Sequence, residues 1–317
     1  MRAIAIQEFG GRDKLQLMDL PIPGIGPHDV LIRIKAAGVN PVDWKIREGF
    51  LREVLPHEFP IILGWDMAGV VEKVGPEVTN YQSGDEVYAY SRLPVVHYGT
   101  YAEYIALPAD IVAKKPENLS FEQAASIPLT ALTAYQSLFD AGRLQSGQTV
   151  LIHAAAGGVG GFAVQLAKHR GATVIGTARS GNHDYLRELG ADRVLDYSTQ
   201  DFRQVIREWY PLGIDLVFDC VGGEVLDQSV ELLNPTGCLV TIVEPERAKT
   251  MKEQGLNIHF VFVAPNAQQL EELTKMVDQG QLHTHVARTF PLEEAVQAHE
   301  MIESHHVRGK LVLTMGA

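Results

Sequence analysis

Cysteine is almost missing from this chain: Cys220 and Cys238 are the only 2 among 317 residues. Two thiols build neither a disulfide framework nor a cysteine-rich zinc site. Positive charge is also short, with 27 Lys and Arg against 39 Asp and Glu and a formal net charge of −12. That balance argues against nucleic acid held by broad electrostatics and leaves room only for a small local basic pocket. No apolar run approaches the roughly eighteen residues of a membrane span, so no membrane partner is expected. The start, Met1-Arg2-Ala3-Ile4-Ala5-Ile6, alternates at once and lacks the apolar stretch and cleavage site of a secretory signal. A soluble, cytoplasmic protein is expected. What the chain has is apolar mass, 46% of its residues, and length enough for two domains sharing an interface.

The first part reads as β-rich. Val30–Lys35, Gly69–Val74 and Asp85–Tyr90 are short runs of Val, Ile and Tyr, separated by Gly, Pro and Asn. From Phe121 to Ala141 the sequence is Ala-rich with helical spacing. Beyond it, apolar runs at Thr149–His153, Thr173–Gly176, Asp215–Phe218, Cys238–Val243 and Ile258–Val263 alternate with helical patterns such as Gly160–Lys168 and Asp184–Leu189. Continuous apolar strands between helices predict a parallel sheet covered on both faces. A last strand is expected at Lys310–Leu313.

The strand at 149–153 runs into Ala154-Ala155-Ala156-Gly157-Gly158-Val159-Gly160-Gly161 and then an amphipathic helix. Glycine lets the backbone approach a pyrophosphate, and a helix N-terminus offers free N–H groups and partial positive charge. Ala155 takes the first glycine position of the usual pattern, so the string alone is weak; its place among strand–helix units gives it force. Ala156, Gly157, Gly158, Val159 and Gly160 are the expected cofactor contacts. About twenty residues further on, NAD enzymes place an acid that accepts from the ribose hydroxyls. Here that neighbourhood carries Arg179, Ser180 and Asn182, which suit an added 2′-phosphate. NADP(H) is the expected cofactor; the competing reading is that Arg179 is an ordinary surface arginine.

The order of parts resembles the medium-chain dehydrogenase/reductase superfamily over essentially the whole chain. The residues carrying the resemblance are Gly64-Trp65-Asp66-Met67-Ala68-Gly69-Val70-Val71, the glycine turn, and Arg308-Gly309-Lys310-Leu311-Val312-Leu313. Within it, Gly38-Val39-Asn40-Pro41-Val42-Asp43-Trp44-Lys45 is similar to the zinc-free quinone oxidoreductase branch, its enone and alkenal reductases above all. The resemblance implies an α/β fold: a GroES-like β-domain over 1–121, completed by 266–317, and a doubly wound, Rossmann-type NADP-binding domain over 122–265, with substrate in the cleft between them. It also implies a homodimer joined through the strand at 258–263. Zinc relatives carry Cys, His and Cys at positions matching Asn40, Trp65 and Leu129, so no metal is expected. His283, His285, His305 and His306 lack a partner set at metal-site spacing.

Without metal, the substrate's own electronics must accept hydride, which conjugated enones, enals and quinones do. Asn40, Asp43 and Lys45 are the candidate catalytic residues, with Lys45 as electrophile, proton donor or ribose contact. The structural alternatives are a turn role for Asn40, helix capping by Asp43 and solvent exposure for Lys45. The resemblance further implies that Thr133 touches the nicotinamide, Tyr197 lies near the adenosine phosphate, and Val243, Phe262, Val263 and Lys310 line the cofactor. Tyr88, Tyr90, Tyr98 and Tyr101 form either an aromatic pocket wall or hairpin packing. The expected activity is zinc-independent hydride transfer from NADPH to a quinone or a conjugated C=C. An enoyl-thioester reductase, or an NADPH-binding protein with little catalysis, is the alternative.

Overall fold

β-Branched runs between glycine and proline turns become strands β1 (Arg2–Ile6), β2 (Gln16–Asp19), β3 (Asp29–Val39), β4 (Ile61–Ile62), β5 (Asp66–Val74), β6 (Glu86–Tyr90), β7 (Tyr104–Pro108) and β8 (Val112–Lys114), with helix α1 (Pro41–Arg47) between β3 and β4. Helices α2 (Phe121–Ala125) and α3 (Pro128–Tyr135) follow. Then strands β9 (Thr149–Ile152), β10 (Thr173–Thr177), β11 (Arg193–Leu195), β12 (Ile214–Asp219), β13 (Leu233–Thr241) and β14 (Ile258–Phe260) alternate with helices α4 (Gly158–His169), α5 (His183–Glu188), α6 (Phe202–Trp209), α7 (Gly223–Val230) and α8 (Pro245–Glu253). Helix α9 (Ala267–Asp278), β15 (Val286–Pro291), α10 (Ala295–Glu303) and β16 (Lys310–Thr314) complete the chain. This is a computed structural model, and it describes residues 1–304 and 306–316. Of the four histidines weighed as metal ligands, His305 lies outside the described residues.

The chain divides into two compact units, Met1–Leu132 with Ala264–Ala317, and Thr133–Val263. The first extends past the expected boundary at 121 because α2 packs on β3 and β5. Small residues on β3 allow this: a Cβ on Gly38 would run into the carbonyl of Ala125. The stretch with helical spacing from Phe121 to Ala141 is helical but interrupted between Ala125 and Pro128. Ser126 closes α2 with its hydroxyl donating to Gln123 O at 2.6 Å, and Pro128 opens α3.

In the first unit a sheet runs in the order β15-β16-β3-β5-β6-β8, with β7 also on β3, beside a three-stranded sheet β2-β1-β4. Strand β3 buries Val30, Ile32 and Ile34 while Arg33 is exposed, the period of a half-buried strand. In the second unit the order is β11-β10-β9-β12-β13-β14, all parallel. This is the doubly wound order, and its reversal point falls between β9 and β12, beside the turn that follows β9. Val150, Leu151 and Ile152 are fully buried, each contributing about 1.5–3 kcal/mol.

Two strand readings need correction. β13 ends at Thr241, short of Val243, and begins at Leu233, because the chain at 234–237 bulges between the Ile214–Leu233 and Leu216–Cys238 pairs. β14 ends at Phe260, because its last paired partner is Thr241. Phe262 and Val263 therefore lie beyond the strand.

Candidate active site

Helix α1 begins where the sequence signals it. Asn40 is extended ahead of Pro41, and the third helical residue, Asp43, turns its carboxylate back to accept the Asn40 N–H at 2.7 Å. Asp43 and Arg47, four residues apart, share the buried face. Lys45 points elsewhere and is half-buried.

Sheet register then assembles a polar cluster around the end of β3. Gly38 of β3 pairs with Asp66 at the start of β5, and Val39 pairs with Leu311, next to Lys310 at the start of β16. Asn40 follows directly. Its Nδ2 donates to Asp66 Oδ2 at 2.9 Å, and its Oδ1 accepts from the Lys310 ammonium. Lys310 also donates to Val39 O at 3.1 Å and lies 3.4 Å from Asp66 Oδ2. The second Asp66 oxygen accepts the Leu129 N–H at 2.7 Å. Asp43 Oδ2 takes a further bond from the Tyr101 hydroxyl at 2.8 Å, while its Oδ1 is buried without a partner among the described residues. Beneath it, the buried Arg47 guanidinium donates to Gly10 O at 3.1 Å and Glu303 at 2.8 Å, pairs with Glu48, and meets His299 Nδ1 at 3.0 Å.

Burial governs the protonation of this cluster. It pushes the Asp43 carboxyl up to about 7, against the opposing pull of the Asn40 N–H, Tyr101 and Lys310. Burial likewise raises Asp66 and lowers Lys310, and their mutual attraction opposes both shifts. His299 is driven down to about 3 by burial and the nearby arginines, so it is neutral. Lys45 is lowered by burial alone. Its ammonium lies 5.9 Å from the Trp44 ring centroid and has no hydrogen-bond acceptor among the described residues. Asn40 and Lys310 are thus occupied with each other and with Asp66, one Asp43 oxygen is held by the Asn40 N–H and Tyr101, and all of these side chains are buried. Lys45 is the candidate left available for a ligand.

In the second unit, β9 passes through Ala154, at φ 52°, into Gly157 at the start of α4. The Gly157 N–H returns to Ala154 O at 3.0 Å, and a Cβ on Gly160 would sit 2.6 Å from Ala155 Cα. Turn and helix therefore touch through backbone alone. The amides of the first helical turn are left for an anion, and Ala156–Val159 border that opening, so the turn fits a dinucleotide pyrophosphate. Arg179 and Ser180 are exposed beyond β10, Asn182 is half-buried, and Tyr197 is 51% exposed after β11. Thr133 is buried on α3, Val243 is half-buried beyond β13, Phe262 is exposed and Val263 buried beyond β14.

Sequence reasoning missed Asp66, an acid opening an apolar strand, which is a visible anomaly once the strand is placed. It also missed the part played by Tyr101. Of the four tyrosines, Tyr88, Tyr90 and Tyr101 are fully buried, and Tyr88 donates to Leu270 O at 2.8 Å, so they pack the first unit. Tyr98 is exposed.

A GroES-like sheet unit and a doubly wound unit with a glycine-rich turn define a nicotinamide-dinucleotide oxidoreductase of the medium-chain class. Residues 26–117 match the family described as "Alcohol dehydrogenase GroES-like domain", and residues 189–313 the one described as "Zinc-binding dehydrogenase". The chain is 34% identical to a 2-haloacrylate reductase of a Burkholderia species, over 98% of each protein. The quinone oxidoreductase of Coxiella burnetii superposes with a TM-score of 0.90 at 40% identity, over 99% of both chains. The Escherichia coli quinone oxidoreductase, solved in complex with NADPH, superposes at 0.87 with 28% identity, over 99% of this chain and 100% of that one. The chain belongs to the medium-chain dehydrogenase/reductase family, in its quinone oxidoreductase branch.

The zinc of the second family description does not suit these residues. Asn40 Oδ1 already holds an ammonium, Trp65 packs edge-on against Tyr90 at 6.0 Å, and the Leu129 side chain has no ligand atom. Among the described residues, no group of three His, Cys, Asp or Glu side chains is placed to hold a metal ion. No helix among them is long and apolar enough to cross a membrane.

Proposed function

We propose that the protein catalyses zinc-independent hydride transfer from NADPH to the conjugated C=C of an α,β-unsaturated carbonyl compound, or to a quinone. The observation that carries the proposal is Lys45, a half-buried cation with no acceptor among the described residues, on the helix whose start is pinned by Asn40 and Asp43. When bound, the cofactor would supply the hydride. The chain's task is then to stabilise the negative charge that develops on the substrate oxygen. Lys45 is the donor for that oxygen, and its lowered pKa eases release of a proton to the product. Asn40, Asp43, Asp66 and Lys310 hold the start of α1, and hence Lys45, in place. Asn40, Asp43 and Lys310 are therefore assigned positioning rather than direct contact.

NADPH is favoured over NADH by Arg179, which is exposed and makes no ion pair among the described residues, and by Ser180 beside it. The 2-haloacrylate reductase relative and the NADPH-bound neighbour support the activated-alkene and cofactor readings. A homodimer is part of the proposal: among the described residues β14 is the last strand of its sheet, with Phe260 36% exposed on it and Phe262 42% exposed just beyond it. Sedimentation at twice the chain mass supports it, and a monomer contradicts it.

The test is NADPH oxidation with a small enone, a quinone and an enoyl thioester. Turnover of the enone or quinone is expected. Turnover of the thioester alone would favour an enoyl-thioester reductase, and NADPH binding without turnover across the set would favour a binding protein.

A further inference from the structure

The side chains expected around an adenosine 2′-phosphate sit on two separate turns. Arg179, Ser180 and Asn182 follow β10, and Tyr197 follows β11. One carboxylate ties the two turns together. Asp196 Oδ2 accepts the Ser180 N–H at 2.8 Å, and Oδ1 accepts the Ser198 N–H at 2.9 Å and the Ser198 hydroxyl at 2.5 Å. The backbone of Asp196 is equally committed: its N–H donates to Gln200 Oε1 at 3.0 Å, and its carbonyl accepts from Thr199 and Gln200 at 3.2 and 3.0 Å. Alongside, the Ala178 N–H donates to Leu195 O at 3.0 Å, so the two strand ends leave the sheet in step.

A carboxylate here carries a chemical choice. Turned outward, beside the turn that carries Arg179 and Ser180, its negative charge would repel a 2′-phosphate. In this chain it is turned inward, only 7% exposed. The Ser198 hydroxyl and N–H, with Ser180 adding to them, hold it down to about 2, so it is ionised and fully employed at neutral pH.

We infer that Asp196 is the positioning residue for 2′-phosphate selectivity, tying the Ser180 amide to the Ser198 turn so that Arg179 and Ser180 are presented beside Tyr197. The inference rests on the NADPH reading and adds to it a residue that touches no cofactor atom. An asparagine offers one acceptor atom in place of two, so D196N can hold one turn but not both.

The test is calorimetric titration of the full chain with 2′,5′-ADP and with 5′-ADP, which probe the adenosine half without catalysis. The wild type is expected to prefer 2′,5′-ADP by about tenfold or more. In D196N that preference should fall to about twofold while 5′-ADP affinity stays within about twofold. S198A, which loses the hydroxyl bond alone, should lose about threefold of the preference, and it decides the matter if D196N fails to fold. An unchanged preference in the folded variants, or an equal loss for both nucleotides, overturns the inference while leaving the NADPH reading intact. A wild type without preference overturns both.

Discussion

Lys310 and Asp66 open two strands that flank β3 on opposite sides, and their charged atoms meet 3.4 Å apart at the Asn40 side chain. Neither group reaches solvent. The ion pair fixes both ends of the Asn40 carboxamide, and through Asn40 the start of the helix that carries Lys45.

Removing one partner of a buried pair leaves the other charge uncompensated. D66L and K310M are each expected to lose about 3–5 kcal/mol of stability in urea unfolding. D66L/K310M, which removes both charges, should lose clearly less than the sum of the single variants. Additive losses would show that the two groups do not depend on each other.

Asp43 makes stability depend on pH with a definite sign. Its folded pKa, about 7, lies above the unfolded value of about 4. Between those values the folded chain holds a proton that the unfolded chain has released, so stability falls as pH rises through the interval and levels off above it. In D43N that decline should shrink, so the variant gains on the wild type between about pH 4 and about pH 7. Parallel stability curves over that range would contradict the assignment.

The parallel sheet was legible from continuous apolar runs, and the pyrophosphate turn from glycines after one of them. In the sequence the motif reads as a loop that carries Asn40, Asp43 and Lys45, with helix capping by Asp43 only as the alternative; the helix at Pro41–Arg47 follows that alternative, and what the side chains do was left open. Their partners, Asp66 and Lys310, are 26 and 270 residues away from Asn40. Only the pairing register of β3 with β5 and β16 brings them together, and register is not written in local sequence. Phe262 and Val263 were misread as strand because an apolar run shows no ending of its own; the neighbouring strand stops first. Asp196 was hidden for a similar reason, since its partner Ser180 belongs to the turn of another strand.

Lys45 should govern rate more than binding. K45A is expected to lower kcat by about a hundredfold or more, with KM for the enone changed far less. K45R should keep part of the rate and move the alkaline limb of the pH profile upward, because a guanidinium does not titrate there. In the wild type that limb should fall below the ordinary lysine range, as the lowered pKa requires. A K45A enzyme of normal kcat would remove Lys45 from the chemistry.

Gly160→Ala tests the pyrophosphate turn. The added methyl meets the Ala154 carbonyl and Ala155 backbone, so turn and helix must separate. NADPH should bind at least about tenfold more weakly in a fluorescence titration. Unaltered affinity would show that the dinucleotide does not depend on this close contact.

The central claim is hydride transfer to a conjugated carbon, and the most direct measurement follows the hydride itself. The two C4-deuterated forms of NADPH would be incubated in turn with the enzyme and a small enone, and the product examined by NMR and mass spectrometry. Deuterium is expected at the β-carbon from one of the two forms, one atom per NADPH oxidised, with solvent hydrogen at the α-carbon. Product without deuterium from either form, or label at the carbonyl carbon of an allylic alcohol, would contradict the claim.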